Sequence, residues 1–308
     1  MHNISIRKLS KKFNNQLILD DINIDINSGE LIALIGPSGG GKTTLLRIIA
    51  GLESADNGLI LVDDVDLSTK TIKDRKIGFV FQHYALFNHM TIYDNIKFGL
   101  DIRSNELNYN QRVALARSIA VEPNILLLDE PFAALDLEVR CDLRRWIRRL
   151  HIDMNITTIF VTHDQEEAME IADRLVIMNN GKIEEIGTAS EIYHNPKNIF
   201  TYKFLGNVNI FNAVFDKEGN YIISNNLNQN KEIFVRPYDM AVSREIIDKN
   251  SINVKLIHIN EAGPLIKLEL QDNNHNIIQS TISYDEYNKL NLIKGDNIYT
   301  YPKKIVYF

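Results

Sequence analysis

Cysteine is nearly absent: Cys141 stands alone in 308 residues. A single thiol excludes an internal disulfide framework and any metal site built from clustered cysteines, and it suits a reducing compartment. Cys141 reads as a helix-surface or packing residue and not as a nucleophile. The stretch from Met1 to Phe13 lacks the apolar core of a secretory leader, and no later apolar run approaches the length of a bilayer span. Neither secretion by a standard signal peptide nor a membrane-spanning segment is expected. Positive charge is also not in excess, the formal net charge being -6. With no basic and aromatic platform, nucleic acid is not an expected partner. What remains is ordinary for a globular chain: 44% hydrophobic and 24% charged residues, enough for a sizeable core and, at this length, two domains. The abundance of Asn, Ile and Lys points to an AT-rich genome, such as that of a plastid or a reduced bacterium.

The chain is organised around Gly36-Pro37-Ser38-Gly39-Gly40-Gly41-Lys42-Thr43-Thr44, which fits the phosphate-binding pattern G-x-x-x-x-G-K-[ST] at each required position. Glycines let successive backbone N–H groups turn onto phosphate oxygens, and the helix beginning near Lys42 adds the positive end of its dipole. In that reading Lys42 reaches the β- and γ-phosphates and the Thr43 hydroxyl ligates Mg²⁺. The setting is the required one. An apolar run, Leu31 to Ile35, precedes the loop, and the helical spacing of Leu45, Leu46, Ile48 and Ile49 follows it.

Ahead of the loop, Ile22, Ile24 and Ile26 alternate with Asp21, Asn23 and Asp25, which predicts half-buried antiparallel strands over residues 4–35. Phe13 falls in a loop of this region, where it serves either as a stacking surface for an adenine ring or as an ordinary packing aromatic. After the first helix come a short strand, Leu59–Val62, and a buried strand, Ile77 to Phe81, ending at Gln82. A polar residue at a strand's carboxyl end lies where open α/β sheets place their ligands.

Residues 111–121 have helical periodicity and stop before Pro123. The run Ile125-Leu126-Leu127-Leu128-Asp129-Glu130 then carries two adjacent carboxylates at the end of an apolar strand. Beside a phosphate loop, Asp129 is expected to hold Mg²⁺ through its water shell and Glu130 to polarise an attacking water. A helix opens at Leu135-Asp136 with Leu143, Trp146, Ile147 and Leu150 facing inward, while Arg144, Arg145, Arg148 and Arg149 read as a solvated face. The next buried strand, Thr157 to Thr162, leads to His163-Asp164. His163 therefore lies at a strand end as Gln82 and Asp129 do, and all three can converge on the edge that carries the phosphate loop. A helix from Gln165 and a hairpin through Asn179-Asn180-Gly181 close this part. Beyond Gly206, short β-like runs (Ile210–Phe215, Ile233–Val235, Val254–Ile259, Leu265–Leu270, Ile305–Phe308) predict a small all-β domain.

With these residues in place the chain resembles the ATP-binding subunits of ABC transporters, and within them the sulfate/thiosulfate importer family. The general elements are the loop 36–44, Gln82 as the Q-loop, Ile125 to Glu130 as Walker B, Ala134-Leu135-Asp136 as the D-loop and His163 as the switch histidine. The subfamily likeness rests on Gly78 to Thr91, on Phe204 to Asn209 and on Val235-Arg236-Pro237. The resemblance implies an α/β P-loop NTPase of ABC type over residues 1–206, a mixed sheet with flanking helices, followed by a β regulatory domain over 207–308. It implies ATP and Mg²⁺ as cofactors, Phe13, residues 36–44 and Asp136 at the nucleotide, Thr43, Gln82 and Asp129 at the metal, and Glu130, His163 and Gln82 in catalysis. It further implies a homodimer, two membrane-spanning permease subunits and, indirectly, a sulfate-binding protein. The location is then the cytosolic face of a bacterial inner membrane, or the stromal face of a chloroplast envelope.

One departure stands out. The family carries a helical subdomain between the equivalents of Phe98-Gly99-Leu100 and Gln111-Arg112-Val113, ending in the signature Leu-Ser-Gly-Gly-Gln. Only Asp101 to Asn110 lies between them here, with Asn105-Glu106-Leu107-Asn108-Tyr109 at the signature position. The short segment leaves open a chain that binds ATP without hydrolysing it, or a sequence from which an internal stretch is missing.

Overall fold

A computed structural model describes residues 2–82, 123–133, 136–216, 218–223 and 231–308. The expected helix at 111–121 and the segment at the signature position lie outside these residues, as do Ala134 and Leu135. The chain divides into two compact units, Met1–Thr201 and Tyr202–Phe308.

In the first unit, strands β1 (Ile4–Phe13) and β2 (Gln16–Ile26) pair antiparallel. Their alternation holds: Ile22, Ile24 and Ile26 are buried while Asp21, Asn23 and Asp25 are exposed. Phe13 is not in a loop. It is the last residue of β1, paired with Gln16 across a tight turn at Asn14-Asn15, both of which adopt positive φ as Asn does at low cost. With β4 (Asn57–Val62) and β5 (Val65–Asp66) these strands form a sheet of order β2-β1-β4-β5.

The second sheet places the site. Strand β3 (Leu31–Ile35) is apolar at every position and buried at every position, as a parallel strand covered on both faces must be. Helix α1 (Lys42–Ala50) follows it. The sheet adds β6 (Ile77–Val80), β7 (Ile125–Asp129), β8 (Thr157–Val161), β9 (Arg174–Asn179) and β10 (Lys182–Gly187), in the order β10-β9-β3-β8-β7-β6. All its pairings are parallel except β9 with β10, whose turn uses Asn180 and Gly181 at positive φ. β6 is shorter and less buried than the sequence predicts, with Ile77 and Phe79 partly exposed beside the buried Gly78 and Val80.

Helix α2 (Leu137–Met154) starts from Asp136, whose carboxylate accepts the Val139 N–H at 3.0 Å. Leu143 and Ile147 are buried as expected, but Trp146 and Leu150 are only half-buried, and His151 takes the third buried place. Burial holds the His151 imidazole below its ordinary pKa. The arginines are not a uniform solvated face either. Arg145 and Arg149 are exposed, whereas Arg144 lies 3.2 Å from Glu170 on α3 (Gln165–Ile171) and also donates to Cys141 Sγ. Arg148 donates to the Ile171 carbonyl at 3.0 Å and to Asp173 at 2.8 Å. Periodicity shows which face of a helix is polar, but not whether a second helix with acidic residues lies against it. Two short helices, α4 (Ala189–His194) and α5 (Ile199–Phe204), follow β10.

The second unit carries two antiparallel sheets. The first is β12 (Tyr221–Ile223), β11 (Asn209–Phe215) and β13 (Lys231–Val235), in that order. The second has the order β14-β18-β15-β16-β17, built from β14 (Met240–Ser243), β15 (Ile252–Asn260), β16 (Leu265–Asp272), β17 (Ile277–Ser283) and β18 (Asn297–Pro302). The unit also carries one short helix, α6 (Tyr284–Leu290), which starts from the Ser283 cap. Ile305 to Phe308 forms no strand; only Val306 bridges to Phe234. No described helix is long and apolar enough to cross a membrane.

Asp173 anchors the start of β3: its carboxylate accepts the Leu31 N–H at 2.9 Å while its own N–H donates to the Leu31 carbonyl at 2.8 Å. Removing an acceptor that holds a partly buried N–H and an arginine costs about 1–3 kcal/mol. Asp173→Ala is expected to lower the stability of the first unit by that amount, read from urea unfolding followed by the fluorescence of Trp146.

Candidate functional site

The loop between β3 and α1 is shaped by two glycines that no other residue can replace. At Gly36, φ is 151° and a Cβ atom would stand 2.0 Å from the Met178 carbonyl oxygen on β9. At Gly41, φ is 91° and a Cβ would stand 2.6 Å from the Leu19 side chain and 2.8 Å from the Ile18 carbonyl. Gly41 is also the residue before α1, and no side chain caps that helix. The first N–H groups of α1 are thereby left for a ligand, with the positive end of the helix behind them.

Lys42 is 7% exposed, and its Nζ donates to the carbonyls of Gly36 at 2.9 Å and Pro37 at 2.8 Å. Burial pulls its pKa below the ordinary lysine value, against the pull of Glu130 and Asp129, which favour the charged form. Thr43 Oγ1 donates to Asp129 Oδ1 at 2.9 Å, tying α1 to the end of β7. Burial raises the Asp129 pKa, opposed by this hydroxyl and by the positive charges of Arg47 and Lys42. Glu130 is the first residue beyond β7, with φ of 49°, held there by its N–H donating to the Val161 carbonyl at 3.1 Å. Its carboxylate accepts from Gln82 Nε2 at 2.9 Å and lies 3.7 Å from His163 Nδ1. Three strand ends, those of β6, β7 and β8, thus meet at one carboxylate.

A cleft of about 610 Å³ opens over these groups, lined by Phe13, Ile18, residues 38–44, Glu130 and His163. Asp136 is not among the lining residues; it caps α2. Ile18, which no sequence motif singles out, lines the same cleft as Phe13. The donor set fits a triphosphate, with a buried ammonium, uncapped N–H groups and an exposed aromatic all lining the cleft. It also fits Mg²⁺, which takes hard oxygen ligands from one or two carboxylates and substrate phosphates and needs no all-protein cage. No group of three acidic, histidine or cysteine side chains clusters as a metal cage among the described residues.

Residues 19–110 match the family model for ABC transporters, and residues 248–303 match that of a TOBE-like domain. A sulfate/thiosulfate import ATP-binding protein of Nitrosomonas europaea is 44% identical over 350 aligned positions, covering 99% of this chain and 97% of the relative. Its counterpart in Bacillus cereus is 42% identical over 99% of this chain and 98% of the relative. The chain belongs to the family of ABC transporter ATP-binding subunits. Among solved structures, a dimeric ATP-binding cassette in a post-hydrolysis state with ADP and Pi aligns over 60% of this chain and 98% of its own, at 26% identity and a TM-score of 0.53. A bacterial Atm1-family ABC exporter with ATP bound aligns with a TM-score of 0.55 at 25% identity, over 62% of this chain and 39% of its own. An alignment of 350 positions with a chain of 308 residues leaves at least 42 positions filled only by the Nitrosomonas relative. Since both chains are covered almost end to end, those positions are internal.

If the ammonium of Lys42 supplies charge-assisted bonds to a polyphosphate, its loss removes at least two such contacts. Each contributes about 1.5–3 kcal/mol. Lys42→Ala is expected to weaken Mg-ATP binding about 100-fold or more by calorimetry, and parental affinity in this variant refutes the phosphate assignment.

Proposed function

We propose that this chain is the ATP-hydrolysing subunit of an importer that carries sulfate or thiosulfate. The observation that carries the reading is the convergence of Gln82 and His163 on the Glu130 carboxylate, in the site that also holds the Lys42 cradle and the Thr43–Asp129 pair. The names of the similar proteins from Nitrosomonas and Bacillus support the choice of substrate.

In this reading Lys42, with the N–H groups of residues 39–44, binds and orients the β- and γ-phosphates of ATP, and Phe13 stacks on the base. Thr43, Asp129 and Gln82 would hold Mg²⁺, which when bound would offset the negative charge that builds on the phosphate oxygens. Glu130 orients and polarises the attacking water, since its carboxylate is fixed by the Gln82 amide on one oxygen and faces His163 on the other. Its left-handed backbone aims the side chain into the cleft instead of along the sheet, a strained placement typical of functional positions. Asp136, at the start of α2, belongs to the surface presented to a second copy. Two copies and two membrane-spanning permease subunits make up the importer, fed by a sulfate-binding protein. The chain sits on the cytosolic face of the membrane, or on the stromal face of a chloroplast envelope if plastid-encoded.

Glu130→Gln tests the assignment directly. The amide keeps the size and the contact with Gln82 but polarises water poorly. ATP affinity is expected to stay within about twofold while phosphate release falls about 100-fold or more. Turnover at the parental rate removes Glu130 from the catalytic role.

A second reading, an ATP-binding chain with little hydrolysis of its own, is favoured by the absence of Leu-Ser-Gly-Gly-Gln and by the internal positions that only the relatives fill. Preorganised donors to a developing charge contribute about 10²–10³ in rate each. ATP held by one half-site also has little differential contact with an associated dimer. Protein of this exact sequence is accordingly expected to release phosphate slowly and to dimerise little with ATP. A version with the family's helical subdomain inserted between Leu100 and Gln111 regains both, as read by light scattering and phosphate release. Robust turnover and ATP-dependent dimers without the insertion discard this second reading.

A further inference from the structure

Near the end of β1, Leu9 and Lys11 are buried and Phe13 follows two residues after Lys11. Leu9 is 1% exposed and Lys11 only 6%. A lysine is seldom buried to this degree unless its charge is paired. Here Nζ lies 2.9 Å from Glu53 Oε1 and 3.6 Å from Asp56 Oδ1. The turn that carries these carboxylates is itself fastened to the strand: the Lys12 N–H donates to Asp56 Oδ2 at 2.6 Å, and the Asp56 N–H donates to the Ser10 carbonyl at 2.9 Å. The ammonium is therefore fixed in place, and it stands 4.9 Å from the centroid of the Phe13 ring. That is within the reach of a cation–π attraction.

Phe13 needs such a restraint. It is 42% exposed at the tip of a hairpin, with Asn14 and Asn15 beyond it, and a side chain so placed loses rotamer freedom when a ligand fixes it. Lys11 does not itself line the cleft, whereas Phe13 does. We propose that Lys11 is a positioning residue for the nucleotide base: its fixed ammonium orients the Phe13 ring so that the ring meets the base already placed for stacking. The proposal rests on the reading of Phe13 as the base-stacking residue. Lys11 acts through Phe13 and touches neither phosphate nor metal, so its effect belongs to the base end of the ligand alone.

Calorimetry on the full chain with two probes, Mg-ATP and Mg-tripolyphosphate, separates base from phosphate. Lys11→Met is expected to weaken ATP binding about three- to tenfold, the range of a partly screened cation–π contact. Tripolyphosphate binding should stay within about 1.5-fold, which also shows that the variant is folded. Lys11→Arg, which restores a cation, should recover most of the loss. In a Phe13→Leu background, Lys11→Met should have no further effect on ATP. Equal loss for both probes, or additive losses in the double variant, overturns the positioning role, as does failure of Lys11→Arg to recover affinity. If Phe13→Leu weakens ATP binding and Lys11→Met does not, the proposal fails while base stacking stands. If Phe13→Leu leaves ATP binding unchanged, the stacking reading fails and the proposal falls with it.

Discussion

Burial pushes Lys42 and Asp129 toward their neutral forms, the lysine pKa down and the aspartate pKa up, and the charge on each opposes that push at the other. The rest of the first unit follows from that opposition. A buried ammonium bonded only to carbonyls and a buried carboxylate bonded to a hydroxyl are imperfectly satisfied on their own. In the proposed function a magnesium triphosphate would supply what each lacks, anionic oxygens for the lysine and a cation for the aspartate. Desolvation that costs stability in the free protein would then become differential affinity for a ligand carrying both signs of charge.

The sheet order delivers this arrangement. With β3 between β8 and β9, and β7 and β6 beyond, successive parallel strands end at one edge, so residues distant in sequence arrive side by side. Glu130 is the meeting point, its backbone held by β8 and its side chain by the residue after β6. The hairpin of β1 and β2 adds Phe13 and Ile18 to the lining of the cleft. In the proposed function, base and phosphate would be handled by two separate sheets.

The site was legible in the sequence where chemistry demands a fixed spacing. The glycines and lysine of 36–44 and the paired carboxylates after an apolar run can be recognised without coordinates, because backbone geometry and charge leave few alternatives. His163 and Gln82 were legible by position, as polar residues where apolar strands stop. What could not be read depended on partners remote in the chain. Arg144 and Arg148 look solvated until α3 is laid against them, and α6 hides within a β pattern because seven residues starting from a serine cap give little periodicity. Lys11 left no trace, because β1 shifts register between Ile6 and Leu9 and the alternation of Ile4 and Ile6 does not carry to position 11. Ile18 left none, since what sets it apart is the cleft it faces.

The position of β3 has a consequence for how the protein is made. Its five residues are almost fully buried, yet Leu31 pairs with Thr158, 127 positions downstream, and Ile32 with Arg174. At translation speeds of about 5–20 residues per second, the strand leaves the ribosome many seconds before either neighbour exists. During that interval a bare apolar strand, with both edges open, is available to any other chain. The element that shapes the phosphate loop therefore cannot be paired along both edges until residue 179 has emerged.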